Sequence, residues 1–130
     1  MIAVEWGRGP CRQQIEEKQL DPLLDRIASE ASRSGKPQDV QVTVEGAGTL
    51  GIVLGADWSL LNHVPSNLKP PYMCCVGSID SEEPMVFYVA GDHYSETLRR
   101  NAISREAARD AMRHFVTRRE LSPDVSWEEV

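Results

Sequence analysis

Val40, Val42 and Val44 alternate with Gln41 and Thr43, and beyond Gly46-Ala47-Gly48 the residues Leu50, Ile52 and Leu54 resume the alternation. Side chains along a strand point to opposite faces in turn, so two runs of period two joined by glycines predict a β-hairpin with one buried face. A sheet that is apolar on one face only must be covered on that face by other elements. This excludes an all-helical chain and makes the remainder a search for the cover.

Two segments have the helical period that such a cover needs. In the first, Asp21 is placed to cap a helix with Pro22 at its first position, Leu23, Leu24, Ile27, Ala28 and Ala31 recur on one face, and Gly35-Lys36-Pro37 ends it. In the second, Arg99-Arg100-Asn101-Ala102-Ile103-Ser104 opens a helix running to about Arg118. Ser104 is its expected cap, Ile103 is placed to pack back on Ala108, and Ala107, Ala108, Ala111, Met112, Phe115 and Val116 form the apolar stripe. Further strands are expected at Ile2 to Trp6, stopped by Gly7 and Gly9-Pro10, and near Leu60 to Val64, Tyr72 to Val76 and Met85 to Val89, with a short tail strand after Leu121. Hairpins outnumber crossovers, so the expected class is α+β, a mostly antiparallel sheet of about five to six strands with two amphipathic helices packed on it. At 130 residues the chain has material for one core, and residues 1–130 are read as a single domain.

Charge narrows the class of partner. From Asp39 to Leu98 eight acids face one base, Lys69, a balance of −7, whereas Arg99 to Arg119 carries seven arginines against Glu106 and Asp110. An acidic body disfavours nucleic acid as a direct partner, because phosphate binding needs a continuous cationic footprint, and it suits capture of a basic protein. Met1-Ile2-Ala3-Val4-Glu5 lacks the basic start and long apolar stretch of a signal peptide, and no apolar run is long enough to span a bilayer, so a cytoplasmic protein without membrane contact is expected. Three cysteines, including the vicinal Cys74-Cys75, make no disulfide framework and read as reduced thiols.

The motifs that could carry chemistry do not survive their context. Gly46-Ala47-Gly48-Thr49-Leu50-Gly51 matches a dinucleotide fingerprint, but another strand follows where a helix should open, and no acid stands about 20 residues on to hold a ribose. His63, His93 and His114 lack the short spacing of a zinc site, so no metal and no cofactor is expected. Asp92, His93 and Glu96 form the one compact polar cluster, read as loop residues after a strand; a small enzyme built on them is the alternative to a binding protein. A triad assembled from Cys74 or Ser95 with His93 and Asp92 lacks a nucleophile elbow, and no catalytic residue is assigned. Pro70-Pro71-Tyr72 is read as entry to a strand edge rather than as a proline-motif ligand. Arg105, Arg109 and Arg113 recur every four residues and are read as a solvated face partly paired with Glu106 and Asp110. Trp6, Trp58 and Trp127 fit the core edge; Trp58, in an expected loop beside Asp57, also has the character of an interface anchor.

Over residues 40 to 130 the residues Leu50-Gly51-Ile52-Val53-Leu54-Gly55-Ala56-Asp57, Pro71-Tyr72 through Val76-Gly77, and Val86-Phe87-Tyr88-Val89-Ala90-Gly91 with Ser95-Glu96 follow one another in order. Arg99-Arg100-Asn101-Ala102-Ile103, Glu106-Ala107, Ala111, Phe115, Pro123, Val125 and Trp127 complete a pattern that resembles the immunity proteins of bacterial polymorphic toxin systems, of the type-one class. Two positions depart from it: Ala90-Gly91 stands where a Gly-Gly turn is typical, and Arg118-Arg119 where a small residue or glycine is expected. The resemblance implies an α+β protein, encoded beside a toxin that often carries a deaminase-superfamily domain, which protects its cell by binding that toxin and occluding its active site. Toxin binding is expected on the acidic loops, at Asp80, Glu82, Glu83, Asp92 and Glu96, with Asp57 and Trp58 as an anchor. A non-inhibitory effector chaperone or adaptor is the remaining alternative.

Overall fold

The computed structural model describes residues 1–9 and 11–130. In chain order the elements are β1 (Ile2–Trp6), β2 (Cys11–Ile15), α1 (Leu20–Ser34), β3 (Gln38–Val44), β4 (Gly48–Leu54), β5 (Trp58–Ser59) and β6 (Leu61–Val64). There follow β7 (Met73–Val76), β8 (Pro84–Val89), β9 (His93–Leu98), β10 (Ile103–Ser104), α2 (Arg105–Arg118) and β11 (Ser126–Glu129).

The valine run organises them. β3 and β4 pair with Val42 opposite Leu50 and Val40 opposite Ile52, and β1 lies on the other side of β3 with Val4 opposite Val42 and Ile2 opposite Val44. β6 adds Leu61 opposite Ile52. Partners in register share a face, so these side chains form one buried layer. Leu20, Leu23, Leu24, Ile27 and Ala31 of α1, with Ala108, Ala111, Met112, Phe115 and Val116 of α2, are buried in the same core. The opposite face carries Asp39, Gln41, Thr43 and Thr49, with Thr43 and Thr49 hydroxyls 2.9 Å apart. Both helices therefore belong to one side, as the period-two pattern requires.

The class is α+β as expected, with more strands than the five to six anticipated. Among the described residues nine strands make one sheet, in the order β11-β7-β6-β4-β3-β1-β2, with the β8–β9 hairpin attached to β3. β5 and β10 form a separate two-stranded ladder. The pairings are antiparallel except for the parallel meeting of Gln38 and Tyr88. The unanticipated strands share a cause. Cys11 to Gln14 of β2 are exposed, so this edge strand has no apolar alternation, and β9 likewise buries little. His93 and Glu96 thus stand on a strand and not in a loop. Trp58 also lies on a strand, β5, paired with Ser104 of β10. The expected stop at Gly9-Pro10 falls partly on Pro10, which is outside the described residues.

The helix starts differ too. α1 begins at Leu20 after a 3-10 turn over Glu17–Gln19, whose Gln19 Oε1 accepts from the Glu16 N–H at 2.8 Å. Pro22 is accommodated inside the first turn, where backbone N–H groups have no helical partner. Asp21, rather than capping its own helix, reaches α2. Its carboxylate accepts from Arg113 Nε at 2.9 Å and Arg109 Nη1 at 3.2 Å, while Asp25 takes Arg109 Nη1 at 2.8 Å. Arg109 is only 15% exposed, so this clamp between the helices removes it from the solvated face, while the expected partial pairing with Glu106 and Asp110 is formed by Arg105 and Arg113. The hydrogen bond from Arg113 leads in holding the Asp21 carboxyl below the ordinary carboxylate range, against the opposing effect of burial. Arg99–Asn101 form a 3-10 turn instead of the opening of α2, which begins at Arg105. Ser104 caps it as expected, its Oγ accepting from the Ala107 N–H at 3.1 Å.

Both departures from the resembled pattern sit at left-handed backbone. Ala90 (φ 51°) and Gly91 (φ 88°) make the β8–β9 turn, and Arg119 (φ 59°) ends α2, positions where a Cβ is disfavoured. Ala90→Asn and Arg119→Gly should each raise stability by about 0.5–1 kcal/mol, seen as a higher denaturation midpoint at unchanged m. A second expectation concerns Asp39, which lies with Gln41 over Gly51 on the sheet's polar face and accepts from Gln41 Nε2. Burial pushes its carboxyl up to about 6 against the hydrogen bond that lowers it. The native state therefore holds this proton more tightly than the unfolded chain. The associated stability is fully present below the unfolded value of 3.8 and is lost as pH rises through about 6, some ~3 kcal/mol in all. Asp39→Asn should stabilise the protein at pH 7.5 and flatten that decline in a pH series of urea melts; an unchanged pH profile would contradict it.

Candidate functional site

β4 leaves the sheet at Leu54 and turns through Gly55-Ala56-Asp57 into β5. Gly55 has φ 103°, and a Cβ there would collide with Ala31 of α1, so glycine lets the turn lie flat against the helix. Ser59 Oγ then donates to the Val53 carbonyl at 2.7 Å, and β5 pairs with β10 just before α2. The outcome is an exposed Asp57 and a half-buried Trp58 standing beside the start of α2.

Two clefts meet at this turn. One, of about 570 Å³, runs between α1 and α2 and is lined by Ser29, Ser32, Arg105, Arg109 and Arg113 with Glu106, Asp110 and Asp57. Its charges are largely internally matched: Arg113 pairs with Asp110 at 2.6 Å and Arg105 with Glu106 at 3.4 Å. The other, of about 600 Å³, has a different character. Trp58, Val76, Ile79, Met85, Ile103 and Val125 give it apolar walls, while Asp57, Asp124 and Arg99 stand among them. Ile79 is 47% exposed, a large apolar side chain left to solvent in an acidic loop.

The β7–β8 loop lines this cleft through Gly77, Ser78 and Ile79, and its placement is dictated by backbone contacts. The Gly77 N–H donates to the Arg100 carbonyl at 2.7 Å, and a Cβ at Gly77 would strike the Ala102 carbonyl oxygen. Arg100 N–H donates to Ser81 O and Arg99 N–H to Glu83 O, both at 2.8 Å, so the loop is stitched to the 3-10 turn at each end. Beneath it the buried Asn101 donates from Nδ2 to Cys75 O at 2.9 Å and Glu128 Oε1 at 2.8 Å. The Cys75 thiol donates to Asn101 O at 3.0 Å, and Arg100 Nη2 reaches the two Glu128 oxygens at 2.8 and 3.0 Å. Asn101 and then Arg100 hold the Glu128 carboxyl below its usual range. Both vicinal cysteines are buried and Cys11 is exposed, so the thiols are structural packing except at the β2 edge.

Of the residues expected to bind a partner, two line this cleft and three follow it on the β7–β8 loop. Asp57 and Trp58 line the second cleft, and exposed Asp80, Glu82 and Glu83 follow Ile79 along its loop wall, Glu83 pairing with Arg99 at 3.3 Å. The other two stand apart. Asp92, in the β8–β9 turn, is paired with Arg8 at 3.0 Å and Lys36 at 3.4 Å, whereas Glu83 precedes β8 at the far end of the same hairpin. Glu96 accepts from Tyr94 Oη at 2.8 Å on β9. Asp92 and Glu96 are thus engaged with different neighbours, and His93 alternates to the other side of the strand from Tyr94 and Glu96. Ile79, Met85, Ile103, Asp124 and Val125 complete the cleft without having been singled out as binding residues. The one sequence signal was Ile79 itself, an isolated apolar residue within Ser78-Ile79-Asp80-Ser81. Among the described residues no three His, Cys, Asp or Glu side chains are grouped to hold a metal, and no helix is long and apolar enough to cross a membrane.

No curated protein matches the chain. A family model described as Immunity protein Imm1 matches residues 13–129. The matched stretch takes in α1, the β3–β4 hairpin, both cleft walls and the tail strand, and leaves out β1. With nine-tenths of its length covered, from β2 to the end of β11, the chain belongs to the Imm1 family of immunity proteins.

Proposed function

We propose that this immunity protein neutralises a nucleic-acid-targeting toxin, of the deaminase-superfamily kind, by laying the cleft beside Trp58 over the toxin's active site or substrate groove. The carrying observation is a cleft lined by the apolar side chains of Trp58, Ile79, Met85 and Val125 together with Asp57 and Asp124, with the exposed acids Asp80, Glu82 and Glu83 following Ile79 on the same loop. Interface energy concentrates in apolar anchors, with Trp foremost, within a polar rim. A groove that tracks phosphates is basic, and an acidic rim steers it into contact at long range. The apolar lining would then hold the complex once formed. Inhibition of this kind is stoichiometric occlusion and requires no catalytic group. The site of action is the cytoplasm of the producing cell, where the toxin would meet its nucleic acid, and the partner is the toxin encoded nearby.

Co-expression with the C-terminal domain of the neighbouring gene product should restore host growth and yield a co-purifying complex. Binding without rescue would favour the chaperone or adaptor reading. Glu82→Lys with Glu83→Lys should slow association about tenfold at low salt, with the difference shrinking as salt is raised. Trp58→Ala should act instead on dissociation, speeding it by about 30-fold or more, the effect of losing a hot spot. Wild-type rates for both variants, with folding intact by circular dichroism, would move the interface to another surface.

A further inference from the structure

Resting on that reading, we infer that the cleft beside Trp58 is an arginine-reading pocket, and that the toxin inserts an arginine flanked by apolar residues into it. The chemistry is set by which charges are already matched. Arg99 lies in the cleft lining but is tied to Glu83 at 3.3 Å, whereas the carboxylates of Asp57 and Asp124 take part in no ion pair or hydrogen bond among the described residues, Asp124 engaging Ser122 Oγ through its backbone N–H alone. The cleft therefore combines two unmatched carboxylates with apolar side chains. An occupant that satisfies both features has a long apolar stem and a cationic end, which limits it to lysine or arginine.

Trp58 separates those two. A planar guanidinium stacks on an indole face and offers five fixed donors to the oxygens of two carboxylates, while an ammonium is a compact, strongly hydrated point charge that gains less from either. Apolar neighbours on the toxin side would cover exposed Ile79 at the cleft mouth. A cleft of about 600 Å³ has room for an arginine together with parts of its neighbours. One competing occupant exists within the chain itself: Arg118 and Arg119, at the end of α2, are exposed, and those of a second copy carry the same charge.

The pocket is tested first without any toxin. The probes are Ac-Leu-Arg-Leu-NH2, its lysine counterpart and its citrulline counterpart, which is an uncharged near-isostere of the arginine peptide. Each is titrated into the full chain while the Trp58 indole N–H is followed by NMR. The arginine peptide should shift that resonance saturably at millimolar concentration, about tenfold more tightly than lysine, with citrulline inactive. Asp57→Asn with Asp124→Asn, both surface changes, should abolish the shift. No shift, or equal response to citrulline, overturns the pocket. Concentration-dependent dimerisation abolished by Arg118→Glu with Arg119→Glu would seat a second copy in the cleft and overturn it likewise.

The toxin complex supplies the second arm. The doubly amidated variant should bind the toxin domain at least tenfold more weakly than wild type, and the peptide should compete with the toxin. Wild-type affinity in that variant overturns the arginine inference while leaving the immunity reading intact. Failure of the unaltered protein to rescue growth sinks the proposed pairing instead, a result that the peptide titration does not share.

Discussion

One-sided burial of the β3–β4 hairpin is the constraint from which the rest of the molecule follows. Because Val40, Val42, Leu50 and Ile52 point the same way, α1 and α2 both cover that face, and the sheet's other face is left to Asp39, Gln41 and the paired threonines. Two helices on one face must settle their own contact. Here it is ionic, with Arg109 and Arg113 of α2 reaching Asp21 and Asp25 of α1. The clamp is partly shielded at Arg109 and open at Asp25, so its strength comes from sharing the shielded guanidinium between two carboxylates more than from the exposed ends. It ties α2 to α1, while the Ser104 cap sets where α2 begins, next to β10 and the Trp58 that pairs with it.

The second determinant is a point of very close backbone approach. Gly77 admits the chain at Arg100–Ala102 without a side chain between them, and Asn101 beneath completes the join to β7 and β11. A buried amide satisfied by a carbonyl and a carboxylate is costly to disturb, since any vacancy leaves polar groups unpaired. This join fastens the acidic β7–β8 loop to the 3-10 turn through the Gly77, Ser81 and Glu83 backbone. The cleft is therefore a consequence of backbone geometry at Gly77 as much as of the side chains that line it.

Much of this was legible in the sequence wherever burial is periodic. The β3–β4 hairpin, the stripes of α1 and α2, the Ser104 cap and the tail strand are each written as a period or a capping residue. What escaped has little periodic burial: β2 and β9 are largely exposed, and β5 and β10 are two residues each, too short for any pattern. The role of Asp21 is likewise absent from local sequence, because its partners Arg109 and Arg113 are 88 and 92 residues away and only tertiary structure brings them together. Among the acids, linear proximity suggested a common surface that the β8–β9 hairpin divides: Asp92 at its turn meets Arg8 and Lys36, and Glu83 at its base meets Arg99. The family pattern was more informative than any single motif, and its two departures, Ala90 and Arg119, mark backbone positions that favour glycine.

A contact surface can change without disturbing the core only where its segments carry little of the buried layer. The Asp57 turn and the β7–β8 loop meet that condition, being exposed yet held at both ends. The most direct test of the account is hydrogen–deuterium exchange of the protein alone and in complex with the toxin domain. Slowed exchange confined to residues 55–59, 77–83 and 124–126 is the predicted footprint. Protection centred on the β2 edge, or on the β8–β9 turn around Asp92, with no change at the Trp58 cleft, would contradict it.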